Sequence, residues 1–447
     1  MDKRIHKFKQ GDEYILLDVN SGAVHVIDKI IFDILETFNG TNDSETIEAW
    51  KNTYDAAEIS EVLEELHELI DQELLFAPEI TDAPESFKHR GIVKSLCLMI
   101  SQDCNLRCKY CFGAGGTYGS RSIMTPEVGI AAVDFLIKHS PRKHSEIDFF
   151  GGEPLINFKT VKTVTEYVRR KEAETGRIFK LTLTTNGMLL DDEKISWLNE
   201  NNISVVLSLD GRREIHDSMR PDSQGRGSYD RVLKNFQKMV NSRNGDNYYI
   251  RGTYTNRNLD FTNDVLDMYE HGFDILSIEP AVLKNSPYAI TENDLPRIFE
   301  EYDRLSEEYL RQKFFFFHFN VDLSNGPCVA KRLSGCGAGH EYFAVACDGS
   351  LYPCHQFVGR EKYLLGNVFD GLNESSKHWT KYFRESHVLN KDLCKNCWAK
   401  FFCSGGCHAN ADLFNDDIRK PYELGCEIQK KRLECAIYVQ SKLTEPR

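Results

Sequence analysis

Eight residues constrain this chain more than any other stretch. Cys104-Asn105-Leu106-Arg107-Cys108-Lys109-Tyr110-Cys111 sets three thiols at a CX3CX2C spacing just after the apolar run Leu96 to Ile100. Such a run reads as a strand that delivers the cysteines into a loop at its C-terminal end. Three closely spaced thiolates can hold three irons of a [4Fe–4S] cluster, for which thiolate is the preferred protein ligand. A protein-only site needs a fourth ligand, and its lack leaves one iron open to a small molecule. The competing reading is a zinc knuckle whose fourth ligand is remote in sequence.

The other cysteines sharpen the choice. The chain has 14, none before Cys97, four up to Cys111, none again until Cys328, then ten to Cys435. No stretch reaches the roughly 18 uninterrupted apolar residues of a membrane span. The start Met1-Asp2-Lys3-Arg4-Ile5-His6 lacks the apolar core of a signal peptide. The expected location is therefore cytoplasmic, with no membrane partner. In that reducing compartment the thiols bind metal or redox clusters rather than pair as disulfides. A net charge of −13 argues against nucleic acid as a partner and tolerates a cationic peptide segment. A length of 447 residues predicts two or three domains.

Residues 1–80 are cysteine-free. Tyr14 to Val19 and Ala23 to Ile27 read as strands joined by the hairpin signal Asn20-Ser21-Gly22. Helical periodicity follows in Lys29 to Phe38, Thr46 to Tyr54 and Ile59 to Leu75. A small hairpin with three helices looks like a winged-helix module, whose free sheet edge could take up an extended peptide. Residues 81–92 read as a linker, with Pro84 and mostly polar neighbours. In 93–283 strand and helix patterns alternate, with strands at Leu96–Ser101, Ile147–Phe150, Lys180–Thr184, Ile203–Leu209, Tyr249–Thr255 and Ile275–Glu279. Helices are expected at Pro126–His139, Phe158–Thr175 and Tyr229–Ser242. This predicts an α/β fold with a parallel sheet, and six units imply a partial (β/α)6 barrel of TIM type rather than a closed one. Residues 284–325 read as a helical bridge, in which Phe314-Phe315-Phe316-Phe317 is expected to be buried core or a domain joint rather than a site. From 326 to 447 the chain turns glycine- and cysteine-rich, as loops around metal centres do.

Gly151-Gly152-Glu153-Pro154 follows the second strand. Two glycines let the backbone approach a ligand closely, and free carbonyls with the Glu153 carboxylate suit an ammonium group. Together with the cysteine loop one strand earlier, this resembles the radical S-adenosylmethionine (SAM) superfamily. The resemblance implies that Cys104, Cys108 and Cys111 bind the catalytic cluster and that the amino and carboxylate groups of SAM chelate its open iron. It further implies that Gly151, Gly152 and Glu153 line the amino group and that Tyr110 borders the cofactor. Thr184 and Asn186 lie in the matching segment Thr184-Thr185-Asn186-Gly187, and Asp210 in Ser208-Leu209-Asp210-Gly211. By the same resemblance Ser208 touches the ribose or carboxylate region, Arg220 the SAM carboxylate, and Glu279 the adenine. A guanidinium fork suits a carboxylate; the plain alternative is that Arg220 forms a surface ion pair and Ser208 a turn.

The second cysteine field reads Cys394-X2-Cys397-X5-Cys403-X3-Cys407, then Cys426, preceded by Cys336, Gly349 and Cys354 as CX12GX4C. The pattern is similar to the SPASM extension of radical SAM enzymes. The resemblance implies two auxiliary [4Fe–4S] clusters, three in all. Cys394, Cys397, Cys403 and Cys426 would hold the outer one, and Cys336, Cys354 and Cys407 the inner one. Cys328 is the candidate fourth inner ligand; without it the inner cluster keeps an open iron that a substrate thiolate could take. A pair of zinc sites is the alternative. Cys97, Cys347 and Cys435 are expected to pack rather than bind.

With His6-Lys7-Phe8 and Leu17 to Val26, the N-terminal unit resembles the peptide-recognition element (RRE) of maturases that build thioether crosslinks in ribosomally made, Cys-rich precursor peptides. The resemblance implies that an electron from a donor such as flavodoxin or ferredoxin breaks a carbon–sulfur bond of SAM. The 5′-deoxyadenosyl radical then takes a hydrogen from a substrate residue, a cysteine thiolate of the same peptide bonds to that carbon, and a second electron leaves through the inner auxiliary cluster. Formylglycine formation in a sulfatase, a carbon–carbon crosslink, and a non-catalytic electron-transfer or zinc-stabilised peptide-binding protein are the competing readings.

Overall fold

The computed structural model describes residues 2–88, 92–323 and 332–444; Cys328 lies outside them. The chain opens with an antiparallel sheet in the order β1 (Ile5–Gln10), β2 (Glu13–Asp18), β3 (Val24–Ile27). The expected hairpin is set by Asp18, whose Oδ1 accepts the N–H groups of Asn20 (3.1 Å) and Ser21 (2.8 Å). Strand β1 was not anticipated, because Lys7 and Lys9 interrupt its apolar pattern. The stem of Lys7 is nevertheless buried, with its ammonium over the Phe32 ring at 4.1 Å and paired with Glu36 at 2.7 Å. Three helices follow, α1 (Lys29–Ile34), α2 (Asp43–Trp50) and α3 (Ala56–Asp71). Helix α3 starts at a capping box between Asp55 and Glu58 and buries Ile59, Val62, Leu63 and Leu66, one face of a 3.6-residue period. Successive β2 residues point to opposite sides. Leu16 packs on the helices, while Ile15 and Leu17 join the core of the main body.

After the short helix α4 (Glu85–Lys88) come β4 (Ser95–Gln102), the two-residue β5 (Ser122–Ile123), β6 (His144–Gly151), β7 (Ile178–Thr185), β8 (Ser204–Ser208), β9 (Tyr248–Tyr254) and β10 (Ile275–Pro280). All but β5 pair in parallel, in the order β4-β6-β7-β8-β9-β10. The six expected strands are present, and α5 (Pro126–His139), α6 (Phe158–Thr175), α7 (Asp192–Glu200), α8 (Arg213–Met219), α9 (Tyr229–Asn241) and α10 (Thr262–Glu270) lie between them. Alternation along β6 and β7 shows how the layers form. Ile147, Phe149, Leu181 and Leu183 are buried on the helix side, whereas Asp148, Phe150, Thr182 and Thr184 face an open lumen. The sheet is thus a partial barrel packed on helices outside, with a chamber inside that both polar and apolar side chains line.

Helix α11 (Leu295–Arg311) and β11 (Phe315–Phe316) follow, and β11 pairs in parallel with β10. The phenylalanine run is not uniformly buried: Phe314 and Phe316 are inside, while Phe315 and Phe317 are 37% and 56% exposed, because an edge strand alternates its sides. At the other edge β12 (Tyr342–Val345) pairs in parallel with β4 and continues through β13 (Ser350–Tyr352), β14 (Gly366–Asn367) and β15 (Gly371–Leu372) as an antiparallel meander. The cysteine-rich region therefore extends the barrel sheet and covers an edge that would otherwise be open. A helix at Glu423–Thr444 ties the molecule together. Its Arg432 meets Glu279 of β10 (3.0 Å), and its Glu434 meets His6 of β1 (2.9 Å). Among the described residues no helix is long and apolar enough to cross a membrane.

Candidate active site

The cysteine loop leaves β4 at the C-terminal end of the barrel and is held by backbone contacts with the segment after α8. Arg107 donates to the Pro221 carbonyl (2.8 Å), Lys109 to that of Met219 (2.9 Å), and Leu106 bridges Asp222. The amide of Asn186 donates to Cys104 Sγ (3.5 Å) and Asn105 Oδ1 (2.8 Å). Gly116 closes the loop from behind with φ +90°. A Cβ there would lie 2.6 Å from Cys104 Cβ and 2.8 Å from Gly152 Cα. Gly116→Ala is therefore expected to displace Cys104 and to lower the iron content of anaerobically purified protein by one cluster's share. Full iron in that variant refutes the assignment. Burial pushes the Cys104 thiol up to about 12 and that of Cys108 to about 11, with the neighbouring thiols adding to the rise.

A cavity of about 710 Å³ opens over this loop. Cys104, Cys108, Tyr110 and Cys111 line it from one side. Gly151, Gly152, Thr184, Asn186, Ser208, Arg220 and Glu279 line it from the strand ends. Gly151 has φ +136°, and a Cβ there would strike the Ser101 carbonyl at 2.2 Å, so the turn admits only glycine.

Two of the residues expected at the cofactor lie behind the cavity wall. Glu153 has no exposed surface, and its carboxylate is taken by Leu155 N–H (3.0 Å), Thr185 Oγ1 (2.8 Å) and Asn186 N–H (2.8 Å). It fastens β6 to β7, and the two glycines make the wall. Asp210 is likewise fully buried. It accepts from the Tyr110 hydroxyl and the Thr253 N–H (3.0 Å) and pairs with Arg220 Nε (2.9 Å). Asp210 thus positions Tyr110 and Arg220 rather than lining the cavity itself. Arg220 is no surface pair, since its side chain is 9% exposed. Glu279 sits between Arg432 (3.0 Å) and His318 (3.3 Å). Burial opposes its charge, but Arg432, His318 and Arg251 outweigh burial and hold the carboxyl down at about 2.

The C-terminal cysteines fall into two sets by the charges they exert on one another. Cys394, Cys397, Cys403 and Cys426 form one. Cys336, Cys354 and Cys407 form the other. Cys403, Cys407 and Cys426 reach the same cavity as the first cysteine loop. Cys347 and Cys435 are buried apart, with Cys347 Sγ 3.0 Å from the Met99 carbonyl, whereas Cys97 is buried in the same apolar cluster as Cys354. Among the described residues no three His, Cys, Asp or Glu side chains close on a single metal ion; a cluster spreads its thiolates over several irons and uses a wider set. A second observation fits an anionic group there. Lys391 is buried and, among the described residues, its ammonium donates to the Gly405 carbonyl (2.9 Å); burial pushes its pKa down, and the charges of those thiols oppose that fall. All-thiol sets around a buried cation suit iron–sulfur clusters.

The radical SAM superfamily model matches residues 98–260, and that of the iron–sulfur cluster-binding SPASM domain matches 336–398. It is a radical SAM enzyme with a SPASM domain. The cysteine-type anaerobic sulfatase-maturating enzyme of Clostridium novyi (strain NT) is 28% identical over 350 residues, 72% of this chain and 90% of that protein. The radical SAM cyclopropyl synthase TigE of Paramaledivibacter caminithermalis is 25% identical over 337 residues, 70% of this chain and 68% of that protein. Among solved structures, native anSMEcpe with bound AdoMet shares the fold at a TM-score of 0.65 and 23% identity, over 79% of this chain and all of that one. Streptococcus suis SuiB bound to precursor peptide SuiA does so at 0.52 and 14% identity, over 94% of this chain and 98% of that one.

[4Fe–4S] clusters and SAM are the cofactors of such an enzyme; Cys104, Cys108 and Cys111 are the thiols that would hold a cluster, which would supply the electron for SAM cleavage. The radical SAM domain contributes orientation and exclusion of water. Three residues of the site carried no motif: Gly116, Arg251 and Lys391. A glycine-rich stretch at Gly113 to Gly116 was the one available signal, for Gly116.

Proposed function

We propose that this enzyme forms intramolecular thioether crosslinks in a ribosomally made, Cys-rich precursor peptide, joining a cysteine sulfur to a carbon of another residue. The observation that carries the reading is the N-terminal sheet. Strand β3 pairs with β2 on one side and, among the described residues, with no strand on the other. The sheet rests on the helix Glu423–Thr444, whose Ile428, Gln429 and Arg432 line the cavity. A leader added at the β3 edge would be held on the element that walls the reaction chamber. The wider coverage of SuiB, at 94% of the chain against 79% for anSMEcpe, supports a peptide-handling unit outside the catalytic core.

Cys104, Cys108 and Cys111 hold the first cluster in this reading, and the two C-terminal thiol sets hold an outer and an inner one. Cys407, assigned to the inner set, borders the chamber. A substrate thiol can therefore approach the inner site on the side where hydrogen is removed. Loss of the thiol proton on binding to iron would prepare the sulfur for bond formation. Flavodoxin or ferredoxin is the class of electron donor.

Arg251 points to the substrate's chemistry. Tyr249, Arg251 and Thr253 alternate toward the lumen and line the cavity, and the exposed Arg251 makes no side-chain hydrogen bond or ion pair among the described residues. Glu279 is already neutralised by Arg432. A free guanidinium of this kind suits a carboxylate of the bound peptide. Arg251→Ala is expected to raise the peptide KM ten- to a hundredfold, about 1.5–3 kcal/mol, with the SAM dissociation constant unchanged. A rise in the SAM constant instead would reassign the residue.

The decisive experiment is anaerobic co-expression with a Cys-rich peptide. A loss of two hydrogens per crosslink together with loss of free thiols is expected; unchanged thiols refute thioether formation and favour a carbon–carbon link. Formylglycine formation is the second reading, favoured by the likeness to the Clostridium novyi enzyme. It removes sulfur from the product, and mass spectrometry separates the two.

A further inference from the structure

The loop that carries the first three thiols also carries two cations, Arg107 and Lys109. The guanidinium of Arg107 donates to the carbonyls of Cys104 and Leu106. Lys109 is exposed between Cys108 and Cys111, and its ammonium stands 5.5 Å from the centre of the Tyr288 ring. Arg257, exposed in the turn after β9, stands 6.0 Å from the same centre. Asn256 ties that turn to the Tyr288 loop by donating to the Pro287 carbonyl (3.1 Å). Lys284, earlier in the Tyr288 loop, is exposed and donates to the Leu413 carbonyl (3.0 Å). Among the described residues none of these four cations is paired with a carboxylate. The carboxylates that adjoin the thiol loop are already taken, Asp103 by Arg121 (3.4 Å) and Asp222 by Arg226 (2.8 Å). Glu292, exposed four residues after Tyr288, offsets one of the four charges at most. Like charges gathered in this way repel one another, and an anion arriving there relieves the repulsion. With a net charge of −13 on the whole chain, the patch is positive on a negative molecule.

We propose that this patch is the docking surface for an acidic one-electron carrier of the flavodoxin or ferredoxin class, with Lys109 and Arg257 as the anchoring charges and Tyr288 between them. The occupant follows from charge and place. A carboxylate-rich carrier is repelled by the net charge of the chain and drawn to the patch, and steering of this kind weakens with salt. Lys109 adjoins Cys108 and lies two residues before Cys111, so a carrier held by it stands against the loop that would hold the cluster. Nearness matters because electron transfer slows steeply with distance. A half-buried ring inside a charged rim also has the anatomy of a small transient interface. One electron passes from the reduced carrier to the cluster site, the carrier leaves oxidised by one electron, and no atom is transferred. The inference rests on reading Cys104, Cys108 and Cys111 as a cluster site, and it is independent of the product formed.

The test compares two reductants on the anaerobic holoenzyme: an acidic flavodoxin reduced beforehand, and reduced methyl viologen, a small cation. Flavodoxin-driven release of 5′-deoxyadenosine is expected to fall about tenfold or more between about 0.05 and 0.5 M salt, while viologen-driven release holds. That comparison needs no variant to fold, and a flavodoxin-driven rate indifferent to salt overturns the inference. Calorimetric titration reads docking without turnover. Arg257→Glu is expected to raise the flavodoxin dissociation constant about tenfold or more, with iron content and viologen-driven release unchanged. Lys109→Glu should weaken docking in the same direction, and Arg257→Lys should restore it. An Arg257→Glu protein with full iron and an unchanged flavodoxin constant overturns the inference. Equal loss with both reductants overturns it too and assigns the cations to the charge balance of the cluster. A raised precursor-peptide constant beside an unchanged flavodoxin constant gives the patch to the substrate instead. Wild-type protein that binds no iron at the first loop overturns the cluster reading together with the inference, whereas full iron without salt-sensitive docking overturns the inference alone.

Discussion

Asp210→Ala is expected to cost about 3–5 kcal/mol of stability and to abolish SAM cleavage. The carboxylate has no exposed surface and is the partner of Arg220, whose side chain is 9% exposed. Burial works against the guanidinium, and the Asp210 charge with Tyr110 and Cys108 holds it protonated. Removing the carboxylate leaves a buried cation without compensation, which is where the large penalty arises. The same carboxylate accepts the Tyr110 hydroxyl, and Tyr110 lies between Cys108 and Cys111. One truncation thus frees both the arginine that faces the cavity and the loop that carries the thiols. Denaturant unfolding under anaerobic conditions measures the first effect, and 5′-deoxyadenosine release the second. Replacing the whole pair, Asp210→Leu with Arg220→Met, should recover much of the stability without restoring cleavage. An Asp210→Ala protein that unfolds with the wild type would show that the pair is not a structural keystone.

Val26→Pro is expected to loosen leader binding at least tenfold, about 1.4 kcal/mol, while uncoupled SAM cleavage continues. The geometry of the hairpin sets this choice. Asp18 N–H donates to the Ala23 carbonyl (2.9 Å), and the register runs Leu17 to Val24, Leu16 to His25 and Ile15 to Val26. Hydrogen-bonded and non-bonded pairs alternate in an antiparallel ladder. The backbone groups of Val24 and Val26 therefore point away from β2, toward the open edge. Proline at position 26 removes an outward donor and spares the ladder with β2. The side chain of Val26 is 44% exposed, so little packing is lost. Calorimetric titration with a leader peptide reads the effect. Unchanged leader affinity would remove the β3 edge from the proposal, and loss of SAM cleavage as well would point to misfolding.

Local signals made the barrel legible. Six β-rich runs separated by amphipathic helices appear where period and turn residues put them, and the cysteine loop follows its strand. Long-range partners were not legible. That β12 adds to β4 depends on pairing residues about 250 positions apart, Ser95 with Tyr342, and nothing in either short segment announces the other. Lys7 hid β1 because a buried lysine stem looks polar in sequence. Glu153 and Asp210 look like ligands in their motifs, yet each is consumed by donors from neighbouring strands, such as Thr185 and Thr253. Arg251 and Lys391 carry no spacing that marks them. Their meaning lies in what fails to pair with them.

The helix Glu423–Thr444 touches the N-terminal sheet through Glu434, the barrel through Arg432 and the chamber through Ile428 and Gln429. Translation delivers it after every strand of the barrel. The chamber wall and the seat of the N-terminal sheet are therefore finished only when this late segment docks. Until then the first thiol loop can form, while the second group of cysteines still lacks Cys426, which lies in that helix. The order of synthesis thus imposes an order of assembly: the loop of Cys104, Cys108 and Cys111 is made well before the helix that walls the chamber over it.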